Sequence, residues 1–205
     1  MLSSMPRLPL YSFRELCSRS EHQRFLDGFC AQLERRSQGA FTLNPPVERI
    51  AHCTRIVGVF DAHGELVGGY VVNDGPTLVL LSVVPEPQRE AWSRDVDLSD
   101  VCELNLIWRD GIGHTAFALL VWPRIIADCV TRGRSVILGS GYENKLDRWY
   151  RALDPELVYE GPSTTSDNVI FVYAFTRARL VGTYCASFID NFVAAPWRRR
   201  KARQS

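Results

Sequence analysis

The sequence predicts an α/β fold, in which a mixed central sheet is flanked by helices on both faces. The first observation is the order of the elements: helix, hairpin, strands, helix, strand, helix, strand, strand, helix. The second is the composition, since 205 residues with 46% hydrophobic and 23% charged side chains suit one globular domain. We therefore expect a single domain over residues 1–195, followed by a short tail.

The first half of the chain predicts a helix, a hairpin and a further strand. Ser12 and Glu15 match the Ser-x-x-Glu capping box, and apolar residues then recur at helical spacing, which predicts a helix over about 13–36. The stretch TRIVGVFDAHGELVGGYVV predicts a β-hairpin that turns at Gly64. The apolar run TLVLLSVVP predicts another strand, and the polar segment after it predicts an excursion from the sheet.

The second half alternates strands and helices. VCELNLIW predicts a buried strand, and the apolar residues 114–132 predict a helix that Pro123 should kink and that Gly133 should end. The remaining segments predict, in order, a strand in SVILGS, a short amphipathic helix in ENKLDRWYRAL, strands in LVYEG and NVIFVYAF, and a terminal helix over about 178–193.

Charge is unevenly distributed, although the formal net charge is only +1. The last ten residues, 196–205, hold five basic side chains and no acidic one, which leaves 19 basic against 23 acidic side chains in the rest. We expect this basic tail to be disordered. The alternative is that it contacts nucleic acid, anionic lipid or an acidic carrier protein.

The same sequence argues against several classes of protein. The six cysteines and four histidines have no metal-ligand spacing, so we expect no metal. No apolar run reaches the roughly 20 residues that span a bilayer, and the N-terminal residues lack a signal-peptide core. Aromatic residues do not interleave with basic ones, so nucleic acid is not an expected partner. We therefore expect a cytoplasmic protein.

Three segments together resemble the GNAT N-acyltransferase superfamily. VGVFDAHGELVGGYVV resembles its early strands, CELNLIWRDGIGHTAFALLVWPRIIADCVTRG its central strand, cofactor loop and long helix, and ENKLDRWYRALDPELVYEGP its tyrosine-bearing ending. The resemblance covers roughly residues 55–176. It implies a GNAT-like α/β fold, with a mixed, mostly antiparallel central sheet flanked by helices on both faces. It also implies an enzyme that moves an acyl group directly from a thioester to an amine, with no covalent acyl-enzyme.

A second comparison points to one branch of that superfamily. GGYVVNDGPTLVLLSVVPEPQREAW followed by CELNLIW resembles the acyl-homoserine-lactone synthases and the related N-acyl amino acid synthases. This resemblance implies a longer acyl group, carried by acyl-CoA or by an acyl carrier protein, and a small-molecule or amino-acid amine as acceptor. The chain lacks the Arg- and Trp-bearing N-terminal pattern of the lactone synthases, so no lactone product is implied.

The donor loop follows the central strand. Arg109, Gly111, Ile112, Gly113 and His114 resemble the superfamily's cofactor loop, although the basic residue comes one place late. Glycines let backbone N–H groups approach a pyrophosphate, and a helix N-terminus favours an anion. The alternatives are a purely steric role for the glycines, a surface ion pair of Arg109 with Asp110, and a solvent-facing His114.

The resemblance also implies the residues that carry the chemistry. Glu103 corresponds to the general base on the central strand, and its apolar neighbours should raise its pKa. Tyr150 corresponds to the acid that protonates the leaving thiolate, and Asn144 to an asparagine that contacts the cofactor arm. The alternatives are an outward or arginine-paired Glu103, a packing role for Tyr150 and an N-cap role for Asn144.

Two other functions share this frame. The first is a GNAT-like domain without catalysis that serves as a binding or assembly module. The second is a thioester decarboxylase or hydrolase that uses the same donor pocket.

Overall fold

The structure, a computed structural model, describes residues 10–142 and 154–189 and forms a seven-stranded mixed sheet. Its strands are β1 Ser12–Glu15, β2 Arg55–Phe60, β3 Leu66–Asn73, β4 Val101–Arg109, β5 Val136–Tyr142, β6 Glu156–Ser163 and β7 Ser166–Thr176. Their spatial order is β1-β2-β3-β4-β5-β7-β6. Neighbouring strands are antiparallel except β4 and β5, which are parallel. The fold class is therefore as the sequence predicts.

Helices cover both faces of the sheet. They are α1 Arg19–Ser37, α2 Glu48–Ala51, α3 Glu86–Ser93, α4 His114–Ala116, α5 Trp122–Thr131 and α6 Arg177–Phe188. On one face, which we call the α5 face, residues of α4, α5 and α6 share one core cluster with β2 to β5. On the other, the α1 face, α1 and α2 pack on the sheet in a second cluster, and apolar residues of 78–92 pack on β4 to β7 in a third.

The N-terminus differs from the prediction. Ser12–Glu15 form an edge strand that pairs with β2, and the helix begins at Arg19 instead of residue 13. A second Ser-x-x-Glu sequence provides the cap, because the Ser18 hydroxyl accepts a bond from the Glu21 N–H and the Glu21 carboxylate accepts one from the Ser18 N–H. The first motif is extended because Tyr11 and Phe13 pack against the core.

The predicted strand at TLVLLSVVP is also wrong. This segment crosses the α1 face without joining the sheet and contains a 3₁₀ turn at Leu81–Val83. Its side chains from Leu78 to Val84 are buried except Ser82, which accounts for the apolar run without a strand ladder. The polar segment that follows it contains α3, which buries Trp92.

Pro123 interrupts the long helix, as the sequence predicts. A π-helical turn at Phe117–Val121 separates α4 from α5, and Pro123 lies in the first turn of α5. Pro123 has no N–H to offer the carbonyls four and five residues earlier, and the Ala118 carbonyl instead accepts a 3.1 Å hydrogen bond from the Tyr184 hydroxyl. Gly133, with φ of +75°, ends the helix as predicted.

The C-terminal helix α6 begins at Arg177, one residue before the predicted start. The predicted short helix at 143–153, the predicted end of the last helix at 193 and the basic tail at 196–205 lie outside the described residues. Within the described ranges, no helix is both long and apolar enough to cross a bilayer.

Candidate active site

The central strands β4 and β5 pair over only part of their length. Their parallel pairing joins Val101–Leu104 to Val136–Gly139, after which β4 continues beside β3 and β5 continues beside β7. A β-bulge follows at once, because β4 has one more residue than β3 between the two pairs that flank it, and Leu106 has a φ of +49°. The sheet therefore opens at Asn105, at its centre.

Glu103 lies at this opening, on the α1 face. It pairs with Asn73 across β3 and β4, and its side chain is 0% exposed. One carboxylate oxygen accepts hydrogen bonds from the Val79 N–H at 2.7 Å and the Asn73 amide at 3.0 Å. The other accepts a 2.6 Å bond from the Leu80 N–H. Glu103 is thus neither outward nor paired with an arginine of the described residues.

The environment of Glu103 acts on its pKa in both directions. Burial raises the pKa of this carboxyl, and the hydrogen bonds from Asn73, Leu80 and Val79 oppose the rise. The net direction is upward. A buried carboxylate of raised pKa accepts a proton more readily than an ordinary carboxylate does, which suits it to act as a base.

Asn105 extends this polar group along the strand. It lies two residues after Glu103 on the same face, is 4% exposed, and its amide nitrogen is 3.5 Å from the Glu103 carboxylate. Its carbonyl oxygen Oδ1 has no hydrogen-bond partner within the described residues. No motif in the sequence indicates Asn73, whereas the two-residue spacing of Glu103 and Asn105 places both side chains on one face of the strand and could have indicated Asn105.

The glycine loop begins where β4 ends. The Arg109 guanidinium donates a 3.2 Å bond to the Ile112 carbonyl and lies 5.2 Å from the centre of the Phe117 ring. Arg109 therefore folds over its own loop, and Asp110 pairs instead with Arg35 at 2.9 Å. Burial, together with the charge of Arg36, lowers the pKa of Arg109.

The same loop leads directly into a helix N-terminus. Gly111 has a φ of +72°, which favours glycine, and Gly113 is the N-cap residue but has no side chain to bind the first N–H groups. His114, the first residue of α4, is exposed. Backbone N–H groups at such a terminus attract an anion when no side chain caps them.

Arginines border the loop on the side of α1. A shallow depression of about 320 Å³ is lined by Gln32, Arg35, Arg36, Arg109, Asp110, Gly111 and Ile112. Arg36 is exposed and has no carboxylate partner among the described residues, whereas Arg35 pairs with Asp110. No sequence pattern links Arg35 and Arg36 to the loop, because they are more than 70 residues away from it.

The predicted site residues are thus only partly described. Glu103 lies at the opening, and the loop from Arg109 to His114 follows it at the end of the same strand. Tyr150 and Asn144 lie outside the described residues. In the parts of the chain described, no group of three or more His, Cys, Asp or Glu side chains is placed to hold a metal ion.

Several solved structures are similar to this chain. The structure of FeeM, an N-acyl amino acid synthase from uncultured soil microbes, matches with a TM-score of 0.65 and 14% identity, covering 85% of this chain and 95% of that one. A probable acetyltransferase from Staphylococcus epidermidis matches with a TM-score of 0.54 and 10% identity, covering 82% and 99%. A GCN5-related N-acetyltransferase from Brucella melitensis matches with a TM-score of 0.51 and 9% identity, covering 86% of this chain and 81% of that one.

These matches define the class of fold. No protein-family model matches the sequence, and no curated protein does either. The chain has the GNAT acyltransferase fold, which confirms the fold that its motifs predict. FeeM is a synthase of the kind named by the second resemblance.

Proposed function

We propose that this protein is an N-acyltransferase that moves an acyl group from an acyl-CoA or acyl-carrier-protein thioester to a small-molecule or amino-acid amine. The observation that carries the proposal is Glu103, a fully buried carboxyl of raised pKa at the point where β4 and β5 part. The fold shared with acyltransferases supports the reaction class.

Glu103 is the general base in this proposal. In this proposal the attacking amine gives its proton to the carboxylate oxygen that accepts the Leu80 bond, because the other oxygen already receives the N–H groups of Asn73, Val79 and Asn105. Removing a proton from the ammonium produces the nucleophile. The nitrogen then forms a bond to the acyl carbon, the C–S bond breaks and the sulfur leaves as a thiolate, and the second proton that the acylated nitrogen loses replaces the one that this thiolate receives. Tyr150 is the proposed donor of the proton that this thiolate takes up.

The glycine loop is the proposed site for the donor's phosphate groups. Backbone N–H groups after Gly113 and the loop glycine Gly111 suit an anion, and Arg36, which has no carboxylate partner in residues 10–142 and 154–189, adds a positive charge nearby. The same positive surface suits CoA and an acidic carrier protein. Arg109, Ile112, His114 and, outside the described residues, Asn144 complete the proposed donor site.

Native mass spectrometry tests the donor. The purified protein is measured alone and with acetyl-CoA, a long-chain acyl-CoA and an acyl carrier protein bearing the acyl group. We expect a stoichiometric complex with at least one thioester. The thioester that binds shows whether the acyl donor is acetyl-CoA, a long-chain acyl-CoA or an acyl carrier protein. If the folded protein binds none of them, the acyltransferase proposal is wrong.

A charge reversal tests the position of the donor. Arg36→Glu should weaken thioester binding several-fold at low ionic strength and less at high salt, because exposed charges are screened. Arg94→Glu is the matched control, since Arg94 is also exposed but follows α3, away from the loop. Equal effects of the two changes would argue against a donor site at this loop.

A binding or assembly module is the second candidate. It is favoured by the bonds of Glu103 to the Val79 and Leu80 backbone, which give this carboxylate a structural task. An enzyme that hydrolyses or decarboxylates the thioester would instead give a product without any amine. Thiol release with and without amines separates these cases: amine-dependent release supports transfer, and amine-independent release supports hydrolysis.

A further inference from the structure

The Asn105 side chain combines burial with an unused hydrogen-bonding atom. It is 4% exposed, and Oδ1 has no partner among the described residues. An unpaired buried carbonyl destabilises the folded protein. A protein bears such a cost where a ligand supplies the missing donor.

The orientation of the amide follows from its neighbour. The Glu103 carboxylate accepts hydrogen bonds, so the Asn105 amide nitrogen lies toward it, at 3.5 Å, and the carbonyl oxygen lies on the other branch of the amide. Oδ1 can therefore accept a hydrogen bond from an N–H or O–H group of a ligand that lies close to Glu103.

The place of Asn105 in the sheet also favours a ligand-binding role for its side chain. Asn105 is the first residue of β4 beyond its last pair with β5, and the bulge begins at the next residue, Leu106. Asn73 is the nearest comparison, because it is equally buried and on the same face. Its side chain, however, is fully used by the Thr77 carbonyl, the Gly75 N–H and Glu103.

We propose that Asn105 binds the attacking amine, with Oδ1 accepting one of its N–H groups while Glu103 takes its proton. This inference rests on the proposed transferase function, and it explains why the acceptor would be an amine and not an alcohol. A primary amine keeps an N–H for Asn105 after it gives a proton to Glu103. An alcohol has one O–H, which goes to Glu103 and leaves Oδ1 unpaired. The pair thus selects primary amines over alcohols of the same shape.

The test compares Asn105→Leu with Asn73→Leu. Leucine is close to asparagine in shape and removes the polar atoms. Without any ligand, Asn105→Leu should leave the melting temperature unchanged or raise it, because it deletes an unpaired carbonyl. Asn73→Leu should lower the melting temperature, since it leaves several buried groups unpaired. A fall of the same size in both variants would make Asn105 a structural residue and overturn the inference.

Kinetics give the second readout. Asn105→Leu should raise KM for the amine by about ten-fold or more, the effect of one lost hydrogen bond to a charged or reacting group, and leave thioester binding by native mass spectrometry unchanged. An unchanged KM would overturn the inference while the wild-type protein still transfers acyl groups. No transfer by the wild type to any of a panel of free amino acids and alkylamines would instead overturn the proposed function.

A measurement on the wild type does not depend on the variant folding. Each amine that accepts the acyl group is compared with the alcohol of the same carbon skeleton as a competitive inhibitor. We expect the alcohol to inhibit at least ten-fold more weakly, as a site that hydrogen-bonds the N–H requires. Equal inhibition by the two would contradict a selective role for Asn105.

Discussion

The Tyr70 hydroxyl donates a 2.5 Å hydrogen bond to the Asp128 carboxylate, and this bond joins β3 to α5 inside the α5 face. The other oxygen of Asp128 accepts a 2.8 Å bond from the Arg55 guanidinium. Burial and the Asp128 carboxylate raise the pKa of Tyr70, so it remains a donor at any ordinary pH. The buried Asp128 carboxylate of α5 thus accepts hydrogen bonds from two strands, from Arg55 of β2 and from Tyr70 of β3.

Tyr70→Phe should therefore destabilise the protein more than an ordinary tyrosine change. Loss of a bond to a charged acceptor costs about 1.5–3 kcal/mol, because Asp128 stays buried and loses a partner. Tyr159→Phe is the control, as it removes a 2.8 Å bond to the Pro162 carbonyl and should cost about 0.5–1.5 kcal/mol. Urea unfolding of both variants measures the difference, and equal costs would contradict the role given to Asp128.

Gly69 has no room for a side chain. A Cβ there would lie 2.3 Å from the Val57 carbonyl oxygen and 2.6 Å from the Phe25 ring, so Gly69→Ala must distort the pairing of β3 with β2 and displace the Phe25 ring of α1. We expect a loss of about 1–3 kcal/mol or more in free energy of unfolding.

Gly182→Ala is the opposite case, because Gly182 lies in α6 with nothing within 4 Å of the added Cβ. It should stabilise the protein by up to about 1 kcal/mol, since alanine favours a helix interior. Thermal unfolding of the two variants should shift in opposite directions. A Gly69→Ala protein as stable as the wild type would contradict the close packing of Gly69 against Val57 and Phe25.

The N-terminal cap of α1 makes a pH-dependent contribution to stability. The Ser18 N–H, then Arg14 and the Cys17 N–H, lower the pKa of Glu21 from 4.5 to about 2. This contribution is complete above the ordinary pKa of a glutamate and is lost as the pH falls through about 2. Glu21→Gln should therefore remove part of the acid sensitivity seen in a denaturation series from neutral pH to pH 2. Ser18→Ala should cost about 1 kcal/mol at neutral pH.

The contribution of Glu103 to stability should have the opposite pH dependence from that of Glu21. Because the pKa of Glu103 is raised in the folded protein, its contribution is largest below the ordinary pKa of 4.5 and falls as the pH rises through the raised value. Glu103→Gln should flatten this part of the stability profile. In the proposed reaction it should also lower kcat by about 10²–10⁴ and remove the acidic limb of the pH–rate profile. An unchanged limb would assign the base to another residue.

The sequence predicts most of the architecture because most elements carry local signals. The hairpin, the helix interrupted at Pro123 and the strand around Glu103 follow from periodicity and turn residues. The two errors have one cause: TLVLLSVVP and the Ser12 motif have the right local pattern for one structure but obtain their partners from distant strands. Arg36 and Asn73 reach the site from α1 and β3, and no spacing within β4 or its loop indicates them.

The short pairing of β4 with β5 divides the protein along its middle. Four residue pairs join a sheet half made of β1 to β4 to a half made of β5, β7 and β6, and each half has a continuous strand ladder of its own. Ile125 of α5 and Leu180 of α6 join the halves within the core cluster of the α5 face, and Leu81 and Leu138 join them within a cluster of the α1 face. A chain cut after Gly133 would therefore yield two fragments that reassemble into the intact fold through core packing on both faces of the sheet.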